Sequence, residues 1–322
     1  MARAPRILIH SDQTAPQKAS LLAACPGAQV GTCSTNAGLP AAISTHRPDV
    51  VYSVRFDPAP GFPAKALFAE GGPVWVANGG AGTDHLGHWN TDRVTVTNAA
   101  GVAADMIAEY VMGCILHFTL DVPGFVQDKA LRRWQMRSVV PVKGKTMLIV
   151  GLGHTGRAIA ARAKAFGMQV TGTRASPEAM ENVDDVRPSQ DLFRLLPQAD
   201  VVVVCTPLTD DTRDMLSADA IGVIKEGAVF VDVSRGGVTD QDALRAALNS
   251  GRIAGAALDV FPAEPLPPSS PLWNTANLLI SPHCSAVHKD WDEASFALFL
   301  RNLDNWLNGR PLFNVVDPDR GY

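Results

Sequence analysis

The 322-residue chain is 46% hydrophobic and 19% charged, with glycine and proline spread along it, a composition that suits two ordinary α/β domains and excludes disorder. A formal charge of -4 and a pI near 6.0 leave no electrostatic reason to expect nucleic acid or an anionic membrane as a partner. Cys25, Cys33, Cys114, Cys205 and Cys284 form an odd set without a CxxC pair or zinc-ligand spacing, so reduced, mostly buried thiols and no metal are expected.

The opening MARAPRILIH lacks the long apolar core of a signal peptide, and a cytoplasmic protein is expected. Apolar runs at Arg6 to His10, Asp49 to Ser53, Val74 to Ala77 and Val94 to Thr97 read as strands of a first parallel α/β unit that ends near Asn98. Between the third and fourth runs, Asn78 to Gly87 reads NGGAGTDHLG. Its consecutive small residues fit either a backbone cradle for an anion or an ordinary Gly-rich turn. Val102 to Leu120 carries Asp105, Glu109 and His117 among apolar residues at helical spacing, which predicts a buried helix rather than a membrane span. In the polar segment that follows, Trp134 stands among Arg132, Arg133 and Arg137. It reads as structural packing with a solvated rim, a partner or substrate contact being the alternative.

The stretch Lys145 to Arg174 organises the chain. An apolar strand at Thr146 to Val150 runs into Gly151, Gly153 and Gly156, spaced GxGxxG, then into an Ala-rich helix and a second strand at Met168 to Gly172. In that setting Gly151 permits the turn, Gly153 admits a pyrophosphate to the backbone, and Gly156 lets helix and sheet pack, with the helix N-terminus supplying donors. A dinucleotide is expected there. Where the fingerprint places an acidic residue for the ribose hydroxyls of NAD, this chain has Arg174, which can pair with a 2′-phosphate through its planar fork, flanked by Thr173 and Ser176 as hydroxyl donors. NADP(H) is therefore expected over NAD(H), the alternative being a solvated Arg174 and use of NAD.

Further strands are read at Asp200 to Cys205, Ala228 to Val233, Ile253 to Asp259 and Asn277 to Ser281, with Thr239 as the cap of a helix stopped by Gly251. This describes a second doubly wound parallel sheet. Ligands on such sheets lie beyond the carboxyl ends of the strands, which draws attention to Thr206-Pro207, Ser234-Arg235-Gly236, Asp259 with Glu264, and Pro282-His283. The last segment, Lys289 to Asn308, is expected as a helix returning to the first unit. The domains are then 1–98 with 287–322, substrate-binding and discontinuous, and 99–286, NAD(P)-binding.

Arg235, Glu264 and His283 fall at successive strand ends and fit one reaction. A histidine can pass a proton to or from a carbinol oxygen, a carboxylate can hold its imidazole and favour the charged form, and an arginine can grip a carbonyl and a carboxylate. Beside a nicotinamide these roles describe hydride transfer between a 2-hydroxy acid and a 2-keto acid. Cys284 beside His283 is not expected as a nucleophile, because neighbours on an extended chain point in opposite directions.

At this point the chain resembles the D-isomer-specific 2-hydroxyacid dehydrogenases of glyoxylate/hydroxypyruvate reductase type, over nearly its whole length. The matching motifs are GAGTDHL at 80–86, VTNAAGVAADMIAEY at 96–110, GLGHTG at 151–156, TPLTDDTR at 206–213, VDVSRGG at 231–237, ALDVFPAEP at 257–265 and SPH at 281–283. The resemblance implies two Rossmann-like/flavodoxin-like domains with an interdomain cleft, His283 as acid/base paired with Glu264, and Arg235 on the substrate. It also implies a homodimer built on the nucleotide domains. Substrate is expected at Ala81, Gly82, Arg235 and His283. The cofactor is expected at Gly151, Gly153, His154, Thr155, Gly156, Thr173, Arg174, Ser176, Thr206, Pro207, Thr212, Val233, Ser234, Asp259 and His283.

The sequence departs from the family pattern in three places. His154 stands where relatives commonly carry an arginine, PHCSAVH replaces PHIA or PHIG, and Val54-Arg55-Phe56-Asp57 matches no substrate-specific subgroup. The rival readings are a phosphite dehydrogenase-like enzyme and an NAD(P)-sensing, corepressor-like binding protein. Formate enzymes carry glutamine in place of the pairing glutamate and are disfavoured by Glu264.

Overall fold

Strands such as Val50–Ser53 and Val201–Val204 are buried on both faces, the signature of parallel sheets covered by helices on either side. The computed structural model describes residues 3–54 and 61–318, so Arg55, Phe56 and Asp57 lie outside the described residues. The chain divides into two units, Met1–Val102 with His288–Tyr322, and Ala103–Val287.

The first unit holds β1 (Arg6–His10), β2 (Gln29–Cys33), β3 (Val50–Ser53), β4 (Trp75–Asn78) and β5 (Thr95–Thr97), in the all-parallel order β2-β1-β3-β4-β5. This is the flavodoxin-like doubly wound order. Alternate residues feed two cores: Ile7, Ile9, Val50, Tyr52 and Trp75 pack with Phe296, Phe299 and Leu303, while Leu8, Val51, Val76 and Val96 pack with Leu39, Leu67 and Trp89. The helix Trp291–Leu307 thereby covers one face of this sheet.

The second unit holds β6 (Thr146–Val150), β7 (Gln169–Thr173), β8 (Asp185–Arg187), β9 (Val201–Val204), β10 (Val229–Asp232), β11 (Gly255–Leu258) and β12 (Leu278–Ile280). All pairings are parallel, in the order β12-β11-β10-β9-β6-β7-β8, which contains the dinucleotide-binding strand order. The helix Ala104–Thr119 packs beside the helix His154–Ala165 through Ala108, Val111, Ile115, Ile159, Ala160 and Ala163. Among the described residues no single helix is long and apolar enough to cross a membrane.

Several expectations need correction. β2 and β8 escaped the reading because both are edge strands whose residues are half-exposed or exposed, so neither needs an apolar run. The cap of the helix Gln241–Asn249 is Asp240, whose carboxylate accepts from the Ala243 N–H at 2.9 Å; Thr239 instead donates its hydroxyl to Asp232 at 2.7 Å. Trp134 is not packing: its relative exposure is 104%, while neighbouring Arg137 is held by Asp121 at 2.6 Å and Asp128 at 2.7 Å. His283 is not on extended backbone, since its φ is 50°, so the alternation argument for Cys284 does not apply there.

Candidate active site

In the first unit the loop after β4 is shaped by two asparagines. Asn78 Nδ2 donates to the carbonyls of Gly80 at 2.8 Å and Gly82 at 2.9 Å, and Asn98 Nδ2 donates to that of Ala81 at 2.8 Å. All three carbonyls are thus drawn towards the protein. Among the described residues the N–H groups of Ala81 and Gly82 have no hydrogen-bond acceptor. A pair of uncommitted backbone donors on a half-exposed to exposed loop is the arrangement an anion cradle needs, and it favours that reading over an ordinary turn.

In the second unit three loops converge. Gly236 follows Arg235, and a Cβ there would lie 2.0 Å from the carbonyl oxygen of Phe261 and 2.4 Å from Pro262 N, so only glycine lets the two backbones touch. Gly237, at φ 97°, then turns the chain back. The Phe261 N–H donates to Glu264 Oε1 at 2.8 Å, and His283 Nδ1 lies 2.8 Å from Glu264 Oε2. With Nδ1 committed to the carboxylate, the imidazole has Nε2 left to carry a proton to another molecule. Burial pushes Glu264 up, but the hydrogen bonds from His283 and the Phe261 N–H, with the charges of His283 and Arg235, outweigh it and hold the carboxyl below its ordinary value.

Beneath these loops lie two buried aspartates, each 1% exposed, at the ends of neighbouring strands. Asp232 accepts from the Ser234 N–H at 2.9 Å, the Ser234 hydroxyl at 2.5 Å and the Thr239 hydroxyl at 2.7 Å. Asp259 accepts from the Ser281 hydroxyl at 2.6 Å and from the N–H groups of Cys284 at 2.9 Å and Ser285 at 3.0 Å. Sequence reasoning offered no role for Asp232, Asn78 or Asn98. A polar residue closing an apolar strand, at or next to the start of a loop of small residues, was the signal available.

The glycine fingerprint fits a dinucleotide. Gly151 has φ 106°, and a Cβ there would meet Thr206 N at 2.9 Å; a Cβ at Gly156 would stand 2.1 Å from the Gly151 carbonyl oxygen. At Gly153 a Cβ would meet nothing within 4 Å, so the space beside it is open. Gly153 caps the helix His154–Ala165 without a side chain, which leaves the first-turn N–H groups for a ligand. His154 lies on that first turn, where burial and the nearby Arg157 lower its pKa.

The other expected cofactor residues divide. Arg174 is half-buried at the end of β7 and its N–H donates to the Arg187 carbonyl at 3.0 Å; Ser176 is exposed, and Thr206 and Pro207 are half-buried. Thr173 and Val233 are buried, Ser234 spends its hydroxyl on Asp232, and Thr212 donates to the Pro207 carbonyl at 2.6 Å while accepting from the Thr209 N–H at 2.8 Å. These four shape the walls from within. Among the described residues no group of three or more His, Cys, Asp or Glu could hold a metal ion.

Comparison with known proteins agrees with this architecture. The model of the D-isomer specific 2-hydroxyacid dehydrogenase NAD-binding domain matches residues 112–285. A glyoxylate reductase/hydroxypyruvate reductase of Mus musculus is 36% identical over 243 residues, 72% of this chain and 73% of that protein. Among solved structures, a D-isomer specific 2-hydroxyacid dehydrogenase of Xanthobacter autotrophicus Py2 in complex with NADPH and MES is 32% identical, with a TM-score of 0.85 over 99% of this chain and 100% of the other. An NADPH-dependent glyoxylate/hydroxypyruvate reductase of Sinorhizobium meliloti, solved with NADP and sulfate, is 26% identical, with a TM-score of 0.81 over 98% and 99%. The chain belongs to the D-isomer specific 2-hydroxyacid dehydrogenase family and is an NAD(P)-dependent oxidoreductase.

Proposed function

We propose that this enzyme reduces small 2-keto acids of the glyoxylate and hydroxypyruvate class to D-2-hydroxy acids, with NADPH preferred over NADH. The observation that carries the reaction is the 2.8 Å contact of His283 Nδ1 with Glu264, on loops that the Gly236 approach brings beside Arg235. Reduction requires a proton for the carbonyl oxygen, and His283 donates it from Nε2. Glu264 fixes the ring through Nδ1 and stabilises its protonated form. Arg235 binds the carboxylate and carbonyl oxygens by charge-assisted hydrogen bonds, and the N–H groups of Ala81 and Gly82 are a further carboxylate cradle.

Gly151, Gly153, His154, Thr155 and Gly156 would hold the cofactor pyrophosphate, with Arg174 and Ser176 at the ribose phosphate and Thr206 and Pro207 along the chain between. Bound there, a reduced nicotinamide supplies the hydride. The choice of NADPH rests on Arg174 at the end of β7, where no carboxylate stands to repel a phosphate, and it is supported by the NADPH and NADP complexes of the two bacterial relatives. One charge-assisted, bidentate contact is worth about 1.5–3 kcal/mol, roughly ten- to hundredfold in affinity.

A homodimer is the further reading. It is supported by exposed apolar residues along one segment, Val126, Leu131, Trp134, Met136 and Val140, a concentration that marks interaction surfaces.

The test is a panel of 2-keto acids of increasing size, with kcat/KM measured for NADPH and NADH in the wild type and in Arg174→Asp. The expected result is turnover of the small acids with an NADPH preference that the variant abolishes. Equal or better wild-type kcat/KM with NADH would reject the cofactor assignment. Tight NADPH binding without turnover of any keto acid would instead favour a nucleotide sensor.

A further inference from the structure

Two buried carboxylates on adjacent strands are an expensive feature. Asp232 ends β10 and Asp259 follows β11, the Asp259 N–H donating to the Asp232 carbonyl at 3.0 Å, so two carboxyl groups share a low-dielectric interior where their charged forms would repel one another. Burial and the charge of Asp259 both push Asp232 up, against the pull of its Ser234 and Thr239 hydrogen bonds. A pair of apolar or amide side chains at these strand ends would avoid the repulsion. What the carboxylates do must therefore need acceptors.

Their partners are all donors. Asp232 takes the Ser234 N–H, the Ser234 hydroxyl and the Thr239 hydroxyl, which are the two ends of the turn 234–239 that carries Arg235. Asp259 takes the Ser281 hydroxyl and the N–H groups of Cys284 and Ser285, which bracket His283 on both sides. Ser281 can give its proton to Asp259 because the Tyr110 hydroxyl, 2.5 Å away, can donate to it in turn, and burial raises the Tyr110 pKa so that the phenol keeps its proton. His283 sits at φ 50°, a left-handed conformation that a non-glycine residue holds only when its surroundings over-determine it. The bracket by Asp259 is such a determinant.

We propose that Asp232 and Asp259 are a matched pair of positioning residues, each an acceptor-only clamp that holds one working side chain in place: Asp232 the turn of the substrate-binding Arg235, Asp259 the turn of the proton-donating His283. The proposal rests on the roles assigned above to Arg235 and His283. An amide cannot replace Asp259, whose two oxygens each accept from a backbone N–H, because its NH2 would face a donor; at Asp232 an amide would force the Thr239 hydroxyl to turn from donor to acceptor. The two clamps serve different steps, so their losses separate. Asp232→Asn loosens Arg235 and raises KM for glyoxylate, with the pH profile of kcat unmoved. Asp259→Asn loosens His283, lowers kcat and shifts its pH profile.

The experiment uses the full-length enzyme with NADPH and glyoxylate, measuring kcat and KM across pH, NADPH affinity by fluorescence, and folding by circular dichroism. A displacement of this kind costs on the order of tenfold to a hundredfold in the parameter concerned. Ser281→Ala and Thr239→Val keep the carboxylates and delete one donor each. They decide the matter if the aspartate variants do not fold, with several-fold effects expected on kcat and on KM respectively. His283→Ala and Arg235→Ala run alongside as controls. If His283→Ala loses the reaction while Asp259→Asn and Ser281→Ala keep wild-type kcat and pH profile, the clamp is wrong and the acid/base reading stands. If all variants lower kcat, KM performance and NADPH affinity together, the aspartates are merely structural and the proposal is overturned. Wild-type kcat in His283→Ala would remove the reading on which it rests.

Discussion

The two units apply one architectural idea with opposite chemistry. In the first, the strand ends carry His10, Ser53, Asn78 and Asn98: His10 Nδ1 lies 2.9 Å from the Ser53 hydroxyl, burial lowers the His10 pKa, and Asn78 and Asn98 hold three carbonyls of a glycine-rich loop. In the second, the strand ends carry the ionisable groups Asp232, Arg235, Asp259, Glu264 and His283, of which Glu264 and His283 are hydrogen-bonded to each other and the two aspartates to neutral donors of the neighbouring turns. Neutral backbone donors can hold an anion without titrating. Proton transfer needs a group that titrates, and a titrating group in turn needs partners that fix its position and charge. On the proposed reading, the first unit contributes only neutral donors to recognition, whereas the second carries both Arg235 and the acid/base pair.

The largest effect that could break this division comes from His283→Ala. Losing the acid/base step is expected to cost roughly 10²–10⁴-fold in kcat, while NADPH binding followed by fluorescence stays near wild type. A variant retaining more than a tenth of kcat would move the proton source elsewhere.

Asn78→Ala, in the neutral unit, is expected to act on binding instead. It releases the Gly80 and Gly82 carbonyls, lets the loop rotate its N–H groups away, and raises KM for the keto acid by about tenfold, the worth of one net hydrogen bond of about 1 kcal/mol or slightly more. Steady-state kinetics across pH check it: a displaced pH profile in this variant would show that the first unit takes part in proton transfer.

The smallest effect sharpens the charged side. Glu264 is held below its ordinary value and is ionised through the neutral range, where it favours the protonated imidazole. Reduction consumes that proton, so its rate falls as pH rises. In Glu264→Gln the support for the charged ring is gone and the fall moves towards acid. The profile should be taken on kcat/KM under conditions where a deuteride isotope effect shows chemistry to be limiting. An unmoved profile would dismiss the pair.

Much of this was legible without coordinates because it is written locally. The runs Val201–Val204 and Thr146–Val150 announce buried parallel strands, and the spacing of Gly151, Gly153 and Gly156 announces a turn, an open approach and a close contact, each now visible as a positive φ, free space or a clash. Arg235, Glu264 and His283 were also readable, since residues just past strand ends of a doubly wound sheet share one edge whatever the loop lengths. Edge strands such as Asp185–Arg187 were not, because a strand paired on one side carries no obligatory apolar pattern.

Chain periodicity and glycine spacing determined the two parallel sheets, the nucleotide fingerprint and the identity of the chemically able residues, since each depends on neighbours a few positions away. Only the tertiary structure decided where polar atoms point. That Thr239 serves Asp232 instead of capping a helix, that Asp259 brackets His283 from more than twenty residues away, and that Asn98 turns the carbonyl of Ala81 are matters of inter-strand register and loop conformation. A hydrogen bond acts over about 3 Å, and which distant groups come within that range is settled when the sheet closes, not by any pattern along the chain.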